Sequence, residues 1–119
     1  MKKSKKKTKI APSIMQSGEY CYITGSEYNL HLHHIYGGNG RRSLCDLYGF
    51  WCFLRGDYHN QADYGVHEKN GYALNLQLKQ ECQRKFEETF IAQSAEPQAI
   101  AAALAREEFM RIIGRNYLD

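Results

Sequence analysis

From Tyr72 onward apolar side chains return every four residues, at Leu74, Leu78, Cys82, Phe86 and Phe90, with Lys, Gln, Glu and Arg between them. That period lays one apolar stripe along a helix of about Tyr72 to Ala92. Ser94 and Pro97 open a second helix, whose apolar surface comes from Ile100, Leu104, Ile112 and Ile113 with Met110 or Phe109, and Gly114 is placed to end it. No ionisable group interrupts either stripe, so both are read as core rather than as a cofactor box.

The first half of the chain has a different period. Glu19 to Thr24 is rich in strand-favouring residues and is followed by the turn pair Gly25-Ser26, which predicts a first strand and turn. In YNLHLHHIY, Leu30 and Leu32 alternate with His31 and His33, the period-two pattern of a strand with one buried face. Gly37-Gly38-Asn39-Gly40 breaks it, and the apolar run from Tyr48 to Leu54, closed by Arg55-Gly56-Asp57, reads as a further strand. Asp57 is placed to cap a short helix carrying Tyr58, His59 and Asn60, with Gly65 ending it and His67 just beyond. The expected class is α+β, and no internal repeat is visible.

At 119 residues and 13.8 kDa the chain has room for one domain of ordinary size. No apolar run approaches the roughly 18 residues that span a bilayer, and no apolar segment follows the lysine-rich start. Neither membrane insertion nor secretion is indicated, and the expected compartment is the cytoplasm. Lys2, Lys3, Lys5, Lys6, Lys7 and Lys9 hold six of the sixteen basic residues, which leaves ten against thirteen acids, or −3, over residues 10–119. The net +3 therefore belongs to the start of the chain. Residues 1–17 are expected to be a disordered basic arm, with residues 18–119 forming the folded domain. A cationic arm favours DNA or RNA through counterion release, although a plain solubilising leader fits as well.

Cys21, Cys45, Cys52 and Cys82 include no C-x2-C pair, so they are read as reduced thiols. Cys82 stands at helical spacing with Leu78 and Phe86, where it acts as a small hydrophobe. A zinc held by Cys21 or Cys52 with a histidine stays open as a minor alternative.

All five histidines fall between positions 31 and 67: His31, His33 and His34 together, then His59, then His67. Imidazole is the commonest metal ligand and the side chain most readily tuned as a base near neutral pH, so this set points to one shared ion. Successive side chains of a strand face opposite ways, so His33 and His34 serve one site only if the strand ends there and the backbone turns into Gly37-Gly38. One can then bind the ion while its neighbour takes a proton from water.

HHIYGGNGRR, followed by an apolar strand and then YHN with GVH, resembles the HNH branch of the His-Me finger (ββα-metal) endonucleases, in particular the small HNH-like proteins of phages and prophages. The likeness covers roughly Cys21 to Phe90, and FMRIIGRNYL near the end is similar too. It implies a two-stranded hairpin and short helix holding one divalent ion, here followed by two C-terminal helices. It also implies hydrolysis of DNA phosphodiesters, in recombination, repair or DNA processing, within a bacterial host cell if the chain is phage-encoded.

Carried over by resemblance, His34 is the general base and His33, His59 and His67 are metal ligands. Relatives often have aspartate where His33 stands, and their last two histidines are often four apart, whereas His59 and His67 are eight apart. Mg2+ or Mn2+ is the implied ion, and imidazole at His33 moves the preference toward Mn2+, Ni2+ or Zn2+. Asn60, or else Asn39, is placed to orient the base. Many relatives carry two C-x2-C pairs around a structural zinc. Thr24 stands where a second cysteine would follow Cys21, so that zinc is not expected, and the C-terminal helices are left to hold the core.

Arg41 and Arg42 are placed to grip phosphate of single- or double-stranded DNA, with the six lysines of the arm. Lys69, Lys79, Arg84 and Lys85 read more simply as a solvated helix face diluted by Glu81, Glu87 and Glu88. Two other functions stay open: a non-catalytic nucleic-acid-binding protein with a structural metal, and a zinc-stabilised interaction module.

Overall fold

A computed structural model describes residues 10–119, and the six arm lysines Lys2, Lys3, Lys5, Lys6, Lys7 and Lys9 lie outside the described residues. The elements run β1 (Leu30–His34), α1 (Arg41–Tyr48), β2 (Trp51–Arg55), a single π-helical turn (Asp57–Gln61), α2 (Tyr72–Gln93) and α3 (Gln98–Ile113). The class is α+β, as expected, and no helix among the described residues is long and apolar enough to cross a membrane.

β1 and β2 pair antiparallel, with His33 opposite Cys52 and His31 opposite Leu54. Cys52 and Leu54 are fully buried, and His33 beside them is buried too. The inner face of β1 is therefore the histidine face, while Leu30 and Leu32 are only half-buried. Period two separates two faces without naming the inner one, and here the inner one is chosen by what His33 meets.

Three expected elements are corrected. Glu19 to Thr24 forms no strand: Gly25 N–H donates to the Cys21 carbonyl, which folds the segment into a tight turn, and one bond from Tyr22 N–H to the Phe53 carbonyl touches the β2 edge. Tyr48 begins no strand, because it is the last residue of α1, and β2 starts at Trp51. Asp57 does not cap the short helix. Its carboxylate instead takes the Arg55 guanidinium at 2.7 and 3.0 Å and the Tyr64 hydroxyl at 2.6 Å.

Residues 10–17, expected within the arm, are packed. Ala11 N–H donates to the Asp46 carbonyl, Ile14 N–H to Gly49, and Trp51 Nε1 to Ala11, while the Ser13 hydroxyl donates to the Trp51 carbonyl. Gln16 Oε1 accepts from Phe53 N–H at 2.6 Å. The Ser13 and Gln16 bonds meet backbone groups on the β2 edge that β1 does not pair, which would otherwise stand open as a template for another chain.

The core lies between the strand pair and the C-terminal helices. Tyr36, Phe50 and Phe109 are fully buried, with Tyr36 5.6 Å from Phe50 and 5.5 Å from Phe109, and Phe86 is 5.8 Å from Phe109. Tyr36 donates its hydroxyl to the Lys79 carbonyl at 2.6 Å, which satisfies the one polar atom of a buried ring. The residue two places after His34 is thereby pinned to α2. On α3 the buried residues are Ala101, Ala105, Phe109, Ile112 and Ile113, whereas Ile100, Leu104 and Met110 are exposed. The buried stripe is turned one residue from the expected one, because small alanines let α3 sit close against its neighbours.

Beyond α3 the chain folds back on α2. Buried Gln83 accepts from Tyr117 N–H at 2.8 Å and donates to Asn116 Oδ1 at 2.9 Å, and Gln80 donates to the Tyr117 carbonyl.

Candidate metal centre

Three elements bring His33, His59 and His67 together. His33 stands on the inner face of β1, His59 on the π-helical turn after β2, and His67 on the loop that leads to α2. Ring centroids are 5.4 Å apart for His33 and His59, 5.1 Å for His33 and His67, and 4.7 Å for His59 and His67. One nitrogen from each ring lies within 4.8 Å of the other two.

The loop closes because two glycines allow it. Val66 N–H donates to the Tyr58 carbonyl at 2.8 Å and His67 N–H to the His59 carbonyl at 3.1 Å, so the loop lies directly on the turn. A Cβ on Gly65 would stand 2.7 Å from the His59 carbonyl oxygen, and one on Gly71 would overlap the Gly65 carbonyl. Only glycine permits this approach, which carries His67 back to His59 across eight residues.

The donor chemistry fits a transition ion. His33 is 2% exposed, and neither of its ring nitrogens has a hydrogen-bond partner among the described residues. An imidazole in that state forgoes bonds it would make in water, and a metal bond to one nitrogen supplies the missing partner. Burial, and after it the neighbouring imidazoles His67 and His59, push His33 down to about 3; burial with His67 and His31 pushes His59 down to about 4. Both are neutral at physiological pH, the form that binds metal. Three imidazoles leave at least one coordination position free for water or substrate, and imidazole sets suit Zn2+, Ni2+ or Mn2+ better than Mg2+.

His31 supports the set. Its Nδ1 lies 3.0 Å from His59 Nδ1, with the rings edge to face. One of the two nitrogens donates and the other accepts, and a donating His59 keeps its Nε2 lone pair for an ion.

His34 stands apart from this group. β1 ends at His34, as the sharing of a site by adjacent histidines requires, and the ring lines a cleft of about 330 Å³ with Leu32, Gly37, Arg42, His59, Asn60 and His67. His34 Nε2 stands 2.8 Å from Asp46 Oδ1, and a carboxylate oxygen accepts, so Nε2 is the donor and Nδ1 is the ring nitrogen outside this bond. Asp46 comes from α1, the helix inserted between the strands.

The orienting asparagine expected beside His34 is not the partner found. Asn60 is exposed on the cleft wall with no hydrogen bond to His34, Asn39 is exposed in the loop before α1, and the carboxylate of Asp46 takes the role. The two arginines also part: Arg42 lines the cleft, while Arg41 donates from Nε to the Ile113 carbonyl and from Nη1 to Gly37. The four cysteines are buried free thiols, and among the described residues none joins the histidine group. Burial pushes the Cys52 thiol up to about 12, which keeps it protonated and unfit as a ligand without rearrangement.

Pattern reasoning placed His31 in the histidine set without giving it a role, and it passed over Asp46. His31 was legible, since it shares the strand face of His33 two residues on. Asp46 was not, because nothing in RRSLCDLY beyond Leu44, Cys45 and Tyr48 announces a helix. Comparison of the chain with protein-family models, with curated proteins and with solved structures finds no match.

Proposed function

We propose that this chain is a metal-dependent endonuclease of HNH type that hydrolyses DNA phosphodiesters. The observation that carries the reading is one cleft lined by two kinds of histidine. His59 and His67 belong to a donor set with buried His33, whereas His34 is held by a carboxylate through Nε2, which leaves Nδ1 outside that bond.

A divalent ion in that set supplies positive charge against the negative charge that grows on the phosphate during hydrolysis. His34 Nδ1 accepts the proton of the attacking water as its oxygen bonds to phosphorus and the bond to the leaving sugar oxygen breaks. Asp46 holds the ring in the tautomer that leaves Nδ1 basic, and it stabilises the imidazolium once the proton has arrived. Arg42 on the cleft wall offers a guanidinium fork to the phosphate oxygens. The donor set favours Mn2+, Ni2+ or Zn2+ over Mg2+.

The test is cleavage of supercoiled plasmid and of labelled single strands by the purified chain with Mg2+, Mn2+, Ni2+, Zn2+ or EDTA, beside His34→Ala. Metal-dependent nicking that disappears in His34→Ala, with metal binding retained, is expected. A folded, metal-loaded wild type that cuts neither substrate would overturn the reading, and DNA binding without cutting would leave a nucleic-acid-binding protein with a structural metal.

A further inference from the structure

Residues 10–119 carry more acids than bases, yet three cations from distant parts of the chain come close enough to act on one another. Arg41 opens α1, Lys79 lies on α2, and Arg115 begins the segment that folds back after α3. Lys79 Nζ stands 5.4 Å from the centre of the Tyr117 ring and the Arg115 guanidinium 5.0 Å from the same ring. A Cβ placed on Gly114 would be 3.7 Å from Arg41 Nη2, which sets that guanidinium against the residue before Arg115. Among the described residues none of the three is paired with a carboxylate.

Such an arrangement is costly without an anion. Like charges repel, and burial first, then the Arg115 and Arg41 guanidiniums, hold the Lys79 ammonium below its ordinary value. The fold nevertheless holds the cluster in place. Arg41 is bonded to two backbone carbonyls, and Tyr117, whose ring Lys79 and Arg115 share, donates its backbone N–H to buried Gln83. Arg41 also bonds Gly37, a residue of the cleft wall, and its neighbour Arg42 lines the cleft, so the cluster continues the cleft surface.

We infer that Arg41, Lys79 and Arg115 bind a backbone phosphate of the nucleic-acid strand next to the one hydrolysed at the cleft. This rests on the proposed endonuclease function, and it adds a strand path that runs from the histidines across α2 to the C-terminal segment. The Lys79 ammonium and Arg115 guanidinium at one aromatic ring, with Arg41 against the adjoining Gly114, suit phosphodiester oxygens, whose negative charge lowers the mutual repulsion of the three cations.

The test is binding of labelled single-stranded DNA by the full chain in EDTA, which keeps the strand intact, at several salt concentrations. Lys79→Gln and Arg115→Gln are each expected to weaken binding on the order of 3- to 10-fold and to lower the slope of log affinity against log salt by about 0.7. Arg84→Gln, on the same helix beside Glu81 and Glu88, should change neither. Lys79→Arg keeps the charge and should keep the slope. Folded Arg115→Gln protein with wild-type affinity and slope overturns the inference, as does a full chain that binds no nucleic acid. Failure of the endonuclease reading looks different: no strand is cut with any ion, while the charge variants still lose binding.

Discussion

His31 and His59 meet through their Nδ1 atoms at 3.0 Å, a contact that fixes the ring of one member of the candidate donor group. When His59 donates that proton, its Nε2 is left as the lone-pair nitrogen that an ion requires. Partners of this kind commonly change metal affinity 10- to 100-fold when removed. His31→Phe is therefore expected to weaken metal binding by about 10- to 100-fold in competition with a chromophoric chelator. His31→Gln, whose amide oxygen can accept the same bond, should recover part of the loss. Unchanged affinity in a folded His31→Phe protein would show that the contact has no role in the metal centre.

Asp46 is expected to affect chemistry and not metal binding. It bonds His34, which lies outside the three-histidine donor group. Asp46→Ala should slow single-turnover cleavage about 10- to 100-fold while leaving the metal titration as in the wild type. A parallel fall in metal affinity would mean that Asp46 acts on the whole centre rather than on the base.

Acid should destabilise the metal-free protein in a defined window. His33 titrates near 3 and His59 near 4 in the folded chain, against about 6.5 when unfolded. Between these limits the unfolded chain binds protons that the folded chain refuses, so stability is full above about pH 6.5 and falls as pH drops. The slope for His33 reaches up to about 1.4 kcal/mol per pH unit, and more exposed His59 adds less. Urea unfolding of EDTA-treated protein between pH 7 and 5 reads this window before most carboxylates titrate. His33→Phe should flatten the slope, and an equally steep slope in that variant would place its origin elsewhere.

Gly71 should tolerate no side chain without cost to the site. A Cβ there overlaps the Gly65 carbonyl, which must move and carry Val66 and His67 with it. Gly71→Ala is expected to weaken metal binding at least 10-fold, by analogy with disturbed supports of other metal ligands, and to lower the melting temperature. Wild-type metal affinity in this variant would show that His67 is not a ligand.

The long helices were legible because a repeat of about four residues, sustained through α2, admits no other regular structure. β1 was legible from its alternation, and the histidine donor group from the clustering of histidines. α1 escaped because it has eight residues and an apolar pattern too short to separate from a strand start, and Asp46 went with it. Glu19 to Thr24 has strand composition, but the turn bond from Gly25 to Cys21 overrides propensity.

Residue types and spacing along the chain therefore determined the class, the two C-terminal helices and the set of imidazoles available to an ion. The three-dimensional structure alone decided which face of β1 turns inward, that His67 returns to His59, and that His34 takes Asp46 as its partner. The reason is physical: period and propensity act through near neighbours, whereas these three choices depend on contacts between segments that are brought together only when Tyr36, Phe50 and Phe109 pack.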